Sequence, residues 1–240
     1  MNISWEIQDV DIKKINNFVA LQINNPFVQR RIKQNIQKIR PEITKEHFWR
    51  VLVGCLLSTQ QRSGPESKVN QFINFLPFSL TLELCSANKE NLVAFVHATL
   101  TNFGGIRRTS RIAEEVSTNF QWLEKDGWNS IFHIIRQVEQ EQTPQQERIA
   151  VRLMQEYFAG FGPKQSRNLL QELGLTKYEI PIDSRITKYL NSFGFPITLS
   201  ASALSDENYY SFVLDGIQQL CKAANVEPCV LDAAIFSSFD

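Results

Sequence analysis

Apolar residues recur at intervals of three and four through most of this chain. Ile12, Ile15, Val19 and Ile23 form one stripe, and Val28, Ile32, Ile36 and Ile39 a second. Asn25-Pro26 between them reads as an N-cap followed by proline at the first helical position, and Pro41 ends the second helix. Thr44-Lys-Glu-His47 leads into residues 48–57, too apolar all round for a surface helix, which predicts the buried central helix of the first half. Further helices are expected at 65–76, 88–101, 107–118, 127–138 and 146–158. Phe158-Ala-Gly-Phe-Gly-Pro-Lys164 then breaks the pattern. A helix resumes over 164–173 and stops at Gly174, and Tyr178-Glu-Ile-Pro-Ile-Asp183 reads as an extended connector. Asp183 or Ser184 opens the next helix, which ends near Gly194, and the last two cover 207–224 and 228–238. Alternation of the strand type occurs weakly at Ser4–Ile7 and Thr81–Leu84 and nowhere else. No internal repeat or long flexible linker interrupts the helices. The expected fold class is therefore all-α, with ten to twelve helices.

Composition narrows the classes. The 240 residues are 43% apolar and 21% charged, with only 10 glycines and 9 prolines, which fits a folded chain and not a disordered or collagen-like one. Lys+Arg and Asp+Glu are 25 each, so the formal net charge is zero. That argues against coating nucleic acid by bulk electrostatics, yet it permits a local basic groove. No run of 18 apolar residues suggests a transmembrane helix, and MNISWEIQ lacks the pattern of a secretory signal. Cys55, Cys85, Cys221 and Cys229 are too sparse for a disulfide scaffold, and with three scattered histidines they offer no metal-ligand spacing. No metal and no cofactor is expected, and a reducing compartment, the cytoplasm, is the default location.

One segment carries chemistry. Helix 146–158, the turn Gly160-Phe-Gly162-Pro-Lys164 and helix 164–173 form a helix-hairpin-helix. Its glycines allow positive φ or close backbone approach. The turn aims successive N–H groups outward at a helix start, an anion site suited to a DNA phosphate. Such contacts position a protein without reading sequence and need little net charge.

The run 158–168 followed by Ile180-Pro-Ile-Asp183 resembles the helix-hairpin-helix/Gly-Pro-Asp superfamily of base-excision DNA glycosylases. That family carries L-P-G-[VI]-G-x-K and then an apolar-Pro-[VI]-Asp segment; here Asp183 follows Lys164 by nineteen positions. Leu56-Leu-Ser-Thr-Gln60-Gln61, Gly105-Ile-Arg107-Arg108-Thr-Ser-Arg111-Ile and Leu231-Asp232-Ala-Ala-Ile-Phe236-Ser237 resemble three further segments of the family. The last is nearest the 8-oxoguanine DNA glycosylase/abasic-site lyase branch. The N-terminal 45 residues match no motif, and the four C-terminal cysteines of the iron–sulfur branch are missing, so no cluster is implied.

The resemblance implies a bifunctional enzyme acting on double-stranded DNA that contains a damaged base, as a monomer without cofactor, nucleoid-associated if bacterial. Lys164 would be the nucleophile and Asp183 its acidic partner. Gly160 and Gly162 would hold phosphate, Gln60 would fill the gap left by the extruded nucleotide, Arg108 would contact the orphaned partner base or its backbone, and Gln61 and Arg107 would bind DNA beside them. Asp232, Phe236 and Asn168 would line the base pocket. It also implies two domains, a central helical barrel over 48–174 and a second formed by 1–47 with 175–240, with Lys164 and Asp183 in the cleft between them.

Plainer roles stay open for the same residues. Lys164 could be a solvated residue after a turn, Asp183 an ordinary N-cap, and Gln60 and Gln61 the end of a core helix. Arg107, Arg108 and Arg111 could form a solvated face, Phe236 could belong to the core, and Asp232 could be a cap. Two other functions also stay open: action on another lesion, and a non-catalytic module that binds DNA phosphates. Zero net charge requires acidity to offset a basic cleft, and Glu83, Glu114, Glu115 and the 139–147 stretch are the expected source.

Overall fold

The computed structural model describes residues 4–62, 64 and 66–239. They build thirteen α-helices and, among the described residues, no strand: α1 Asp9–Gln22, α2 Pro26–Arg31, α3 Lys45–Leu57, α4 Lys68–Asn74, α5 Leu82–Ala87, α6 Leu92–Phe103, α7 Thr109–Trp122, α8 Trp128–Glu141, α9 Pro144–Tyr157, α10 Pro163–Glu172, α11 Ser184–Phe193, α12 Glu207–Ala224 and α13 Pro228–Ser237. The all-α expectation holds.

Caps explain where most helices begin. Side-chain oxygens of Asn25, Thr44, Ser67, Thr81, Thr143, Asp183 and Asp206 each accept a backbone N–H from the first turn that follows. Each such cap contributes about 1 kcal/mol. Thr81 corrects one expectation: its Oγ1 accepts from Leu84 N at 3.2 Å, so the weak strand at 81–84 is the start of α5. A period of two over four residues lost to capping chemistry. Ser4–Ile7 is not a strand either. There Trp5 packs on Phe195 and Phe212, with ring centroids 5.4 and 5.1 Å apart. The helix expected at 65–76 is α4, which starts at Lys68; Pro65 lies outside the described residues.

Two hydrophobic cores form. In the first, Phe48, Trp49, Leu52, Val53, Leu56 and Leu57 of α3 are buried at the centre, surrounded by apolar side chains from Ile43 to Leu175. Each fully buried side chain of this kind contributes roughly 1.5–3 kcal/mol. In the second, Ile15, Val19 and Val28 from the start of the chain pack with Ile180, Ile182 and the apolar faces of α11, α12 and α13.

Polar side chains join the two. Arg31, almost fully buried, donates from Nη1 to Gln171 O at 3.0 Å, and Asn35 Nδ2 donates to Gln171 O at 2.9 Å and Thr176 O at 2.7 Å. Glu147, expected within an acidic surface stretch, is instead buried. It accepts the backbone N–H groups of Lys177, Tyr178 and Glu179 at 2.9, 2.8 and 2.9 Å. Burial pushes its carboxyl up to about 7, against the pull of those donors. Glu139 is not spare surface acidity either, since it pairs with Arg40.

Candidate active site

The hairpin between α9 and α10 is held from below. Asn119, buried in α7, donates from Nδ2 to Ala159 O at 3.0 Å and accepts from Ala159 N at 2.8 Å. Phe158 and Phe161 anchor the turn in the first core, 5.6 Å apart. Gly160 has φ +83°, and a Cβ there would lie 2.7 Å from the Glu115 carboxylate and 2.8 Å from Leu56 Cδ2. Glycine is therefore required at Gly160 by both conformation and space. Gly162 differs: its φ is −101°, and a Cβ would meet nothing. It is exposed, so its freedom serves an approach from outside. Glu115 corrects the charge layout inferred from sequence. It lies buried under the hairpin, with Arg111 Nε at 2.9 Å and Arg108 Nη2 at 3.9 Å.

Lys164 occupies the first turn of α10, half-buried, and no ion pair or hydrogen bond engages its ammonium among the described residues. Its neighbours tie α10 to the end of α3. Gln165 Nε2 donates to Cys55 O at 2.7 Å and to Thr59 Oγ1 at 2.6 Å, and Asn168 Nδ2 lies 3.3 Å from Cys55 Sγ. Burial pushes the Cys55 thiol up, while the charge of Lys164 acts on it in the opposite direction. The Asn168 amide thus serves this helix seam, one turn beyond Lys164.

Gln60 and Gln61 part company. Gln60 is exposed, with φ +57°. Gln61 spans two loops: its Nε2 donates to Leu57 O, and its Oε1 accepts from Arg107 N at 2.9 Å. Arg107 keeps its side chain in solvent. Arg108, with φ +60°, reaches back to Thr59 O at 3.4 Å. The structure therefore brings Gln60, Gln61, Arg107 and Arg108 to one edge, beside the end of α3.

Asp183 caps α11. Its Oδ1 accepts from Arg185 N at 2.8 Å and Ile186 N at 3.1 Å, and its Oδ2 accepts from Arg185 Nη1 at 3.0 Å. The connector leading to it is fixed by residues that the sequence patterns do not reveal. Tyr210 Oη donates to Ile180 O at 3.0 Å and accepts from Ile182 N, gripping both sides of Pro181. Arg167, fully buried in α10, donates from Nε to Glu179 Oε2 at 2.8 Å and from Nη2 to Glu207 Oε1 at 2.8 Å. Burial opposes its charge, but Glu207 and Glu179 outweigh that and hold the guanidinium protonated. One helix thus carries both Lys164 and the side chain that fixes the approach to Asp183.

Phe236 on α13 stacks on Phe27 of α2, with centroids 4.6 Å apart, and the Arg185 guanidinium lies 4.1 Å over the Phe236 ring. Asp232, one helical turn before Phe236, is 7% exposed. Burial pushes its carboxyl up to about 7; Arg31 counters this, and the charge of nearby Asp183 adds to it. The fully buried Gln171 side chain lies beside Asp232. Lys164, Asn168 and Gln171 follow one another at helical spacing along α10. That stripe leads from the hairpin to Asp232, whose neighbours are Asp183 and Arg31. No hydrogen bond or ion pair joins Lys164 to Asp183.

Two surface hollows, of about 550 Å³ beside Arg40, Phe132 and Arg136 and about 530 Å³ beside Leu92, His97 and Glu114, lie outside this set of residues. Among the described residues, no group of three or more His, Cys, Asp or Glu side chains is placed to hold a metal ion.

No sequence-family profile and no curated protein matches the chain. Solved structures do. The 8-oxoguanine DNA glycosylase of Thermotoga maritima aligns over 94% of this chain and 95% of its own, with a TM-score of 0.67 at 13% identity. The 8-oxoguanine DNA glycosylase of Methanocaldococcus jannaschii covers 94% of this chain and 91% of its own, with a TM-score of 0.63 at 18% identity. An 8-oxoguanine glycosylase/lyase from the same organism, in complex with a 15mer DNA containing 8-oxoguanine, covers 93% and 95%, with a TM-score of 0.67 at 15% identity. The all-helical fold of the chain is shared with these structures of 8-oxoguanine DNA glycosylases.

Proposed function

We propose that the protein is a DNA glycosylase of base-excision repair that removes an oxidised purine, 8-oxoguanine, and then cleaves the abasic site through a lysine Schiff base. The observation that carries this reading is Lys164. It is an unengaged amine at the first turn of α10, behind an open Gly162, in a fold shared with 8-oxoguanine DNA glycosylases.

A base within a duplex must be extruded before it can be attacked. The hairpin N–H groups and the start of α10 take a backbone phosphate, and Gln60, exposed at the edge that carries Arg107, fills the vacated stack. Phe236 stacks on the extruded base, and Asp232 meets its polar edge. Lys164 attacks C1′ as the free amine, and its nitrogen forms the new bond as the N-glycosidic bond breaks. The base departs with that electron pair and takes up a proton. Loss of the proton from nitrogen and opening of the sugar ring give the Schiff base. Removal of a C2′ proton then expels the 3′ phosphate. Asp183 stabilises the positive charge that develops on the sugar or helps to deprotonate the nucleophile. The reaction needs no cofactor, and we assign the protein as a monomer.

A panel of duplexes carrying 8-oxoguanine, thymine glycol, alkylated purines and mismatches, with borohydride trapping, tests this reading. Covalent capture on 8-oxoguanine DNA, abolished by Lys164→Gln, is the expected result. Preference for another lesion would overturn the substrate. Binding without excision of any base would mean a phosphate-binding module.

A further inference from the structure

Arg185 stands where two parts of the proposed chemistry meet. Its Nη1 is 3.0 Å from Asp183 Oδ2, and its guanidinium carbon is 4.1 Å from the centroid of Phe236. The side chain is 26% exposed and that of Asp183 22%, so both can be reached from solvent. Phe236 in turn stacks on Phe27, whose ring also carries Arg30 at 4.9 Å. A planar cation is thus laid on the aromatic ring that the extruded base is assigned to use, and the same cation neutralises the carboxylate beside the reacting sugar.

We propose that Arg185 is a place-holder for the extruded base and a latch on Asp183. This rests on the glycosylase reading of the site. In the free protein the guanidinium covers Phe236, a favourable arrangement for a weakly hydrated planar ion. It also compensates the Asp183 carboxylate through a charge-assisted hydrogen bond. A base that stacks on Phe236 takes that position and displaces Arg185. Asp183 keeps its two backbone donors, from Arg185 N and Ile186 N, and so stays in place on α11. It loses its counter-charge at the moment a positive charge is about to form on the sugar. Occupation of the pocket is in this way linked to the electrostatics of the reaction, and Arg185 acts as a positioning residue through Asp183.

The latch makes a specific demand on an abasic site, which brings no base to displace Arg185. Single-turnover borohydride trapping is therefore measured on two duplexes, one with 8-oxoguanine and one with a preformed abasic site. Wild type is compared with Arg185→Ala, Arg185→Gln and Arg185→Lys. On abasic DNA, Arg185→Ala and Arg185→Gln should trap faster than wild type by about five-fold or more, the factor that an ion pair of ordinary strength amounts to. Arg185→Lys, which keeps the charge, should stay near wild type. On saturating 8-oxoguanine DNA all four should agree within about two-fold, because the base has already opened the latch. A loss of rate on both duplexes in every variant would make Arg185 merely structural and would overturn the proposal. So would unchanged rates on abasic DNA. Failure of wild type to trap on either duplex would instead remove the glycosylase reading and the latch with it.

Discussion

Gly160 and Gly162 stand two positions apart in one turn and answer to different demands. Gly160 is fixed from inside, by φ +83° and by the Glu115 carboxylate beneath it. Gly162 is free of both constraints. Gly160→Ala should therefore destabilise the protein by about 1–3 kcal/mol, read as a lower denaturation midpoint. Gly162→Ala should leave that midpoint within about 0.5 kcal/mol while weakening DNA binding, because the added methyl meets the phosphate and not the chain. Equal effects of the two on stability would contradict this assignment. Lys164, Asp183 and both glycines were recognisable in the sequence because a hairpin and a cap are contiguous motifs. The two glycines were not distinguishable there, since what separates them is Glu115, which comes from another helix.

At the scale of elements, the lysine-bearing helix and the aspartate-bearing connector are joined by Arg167. Its two carboxylate partners lie 12 and 40 residues away. No local periodicity encodes such a pairing, so sequence patterns place the helices and leave out what sets them against each other. Arg167 and Glu179 are both fully buried. Arg167→Met, which leaves Glu179 only the more exposed Arg148 and frees Glu207, should cost about 3–5 kcal/mol in chemical denaturation. Arg148, at 2.9 Å from Glu179, is the other cation on that carboxylate; it is partly exposed, so Arg148→Met should cost less. The same limit explains Phe27. It lies beside the stripe that begins at Val28, and its stacking on Phe236 depends on the approach of α2 to α13. The difference at α5 has a local cause instead: the cap at Thr81 decides a segment too short for any period to be secure.

For the whole molecule, several of the acids expected to balance a basic face turn out to be committed inside the fold or to a partner. Glu115, Glu139, Glu147 and Glu179 are engaged by arginines or backbone N–H groups. Arg62, Arg107 and Lys164 are left without side-chain partners among the described residues, the first two in solvent. The affinity for DNA should then fall with salt at a shallow logarithmic slope of about −3 to −4, as for three or four phosphates. Stability should depend on pH as well. The carboxyls of Asp232 and Glu147 are raised by burial to about 7, so the folded state is favoured where they are protonated. Stability present below about pH 4 is lost as pH rises to about 7. Asp232→Asn should recover part of it, up to about 4 kcal/mol above pH 7 and nothing below pH 4. A thermal-unfolding series from pH 4 to 8 reads this directly.

The second core draws on both ends of the chain. Ile15, Val19 and Val28 leave the ribosome roughly 150 residues ahead of the segments that cover them, a delay of about 8–30 s at ordinary rates of synthesis. The first core is built from one continuous stretch and has all its partners in hand by Leu175. The nascent protein should accordingly gain protease resistance in two steps. The inner stretch closes first, and the leading helices stay exposed to holdase chaperones until α12 and α13 emerge.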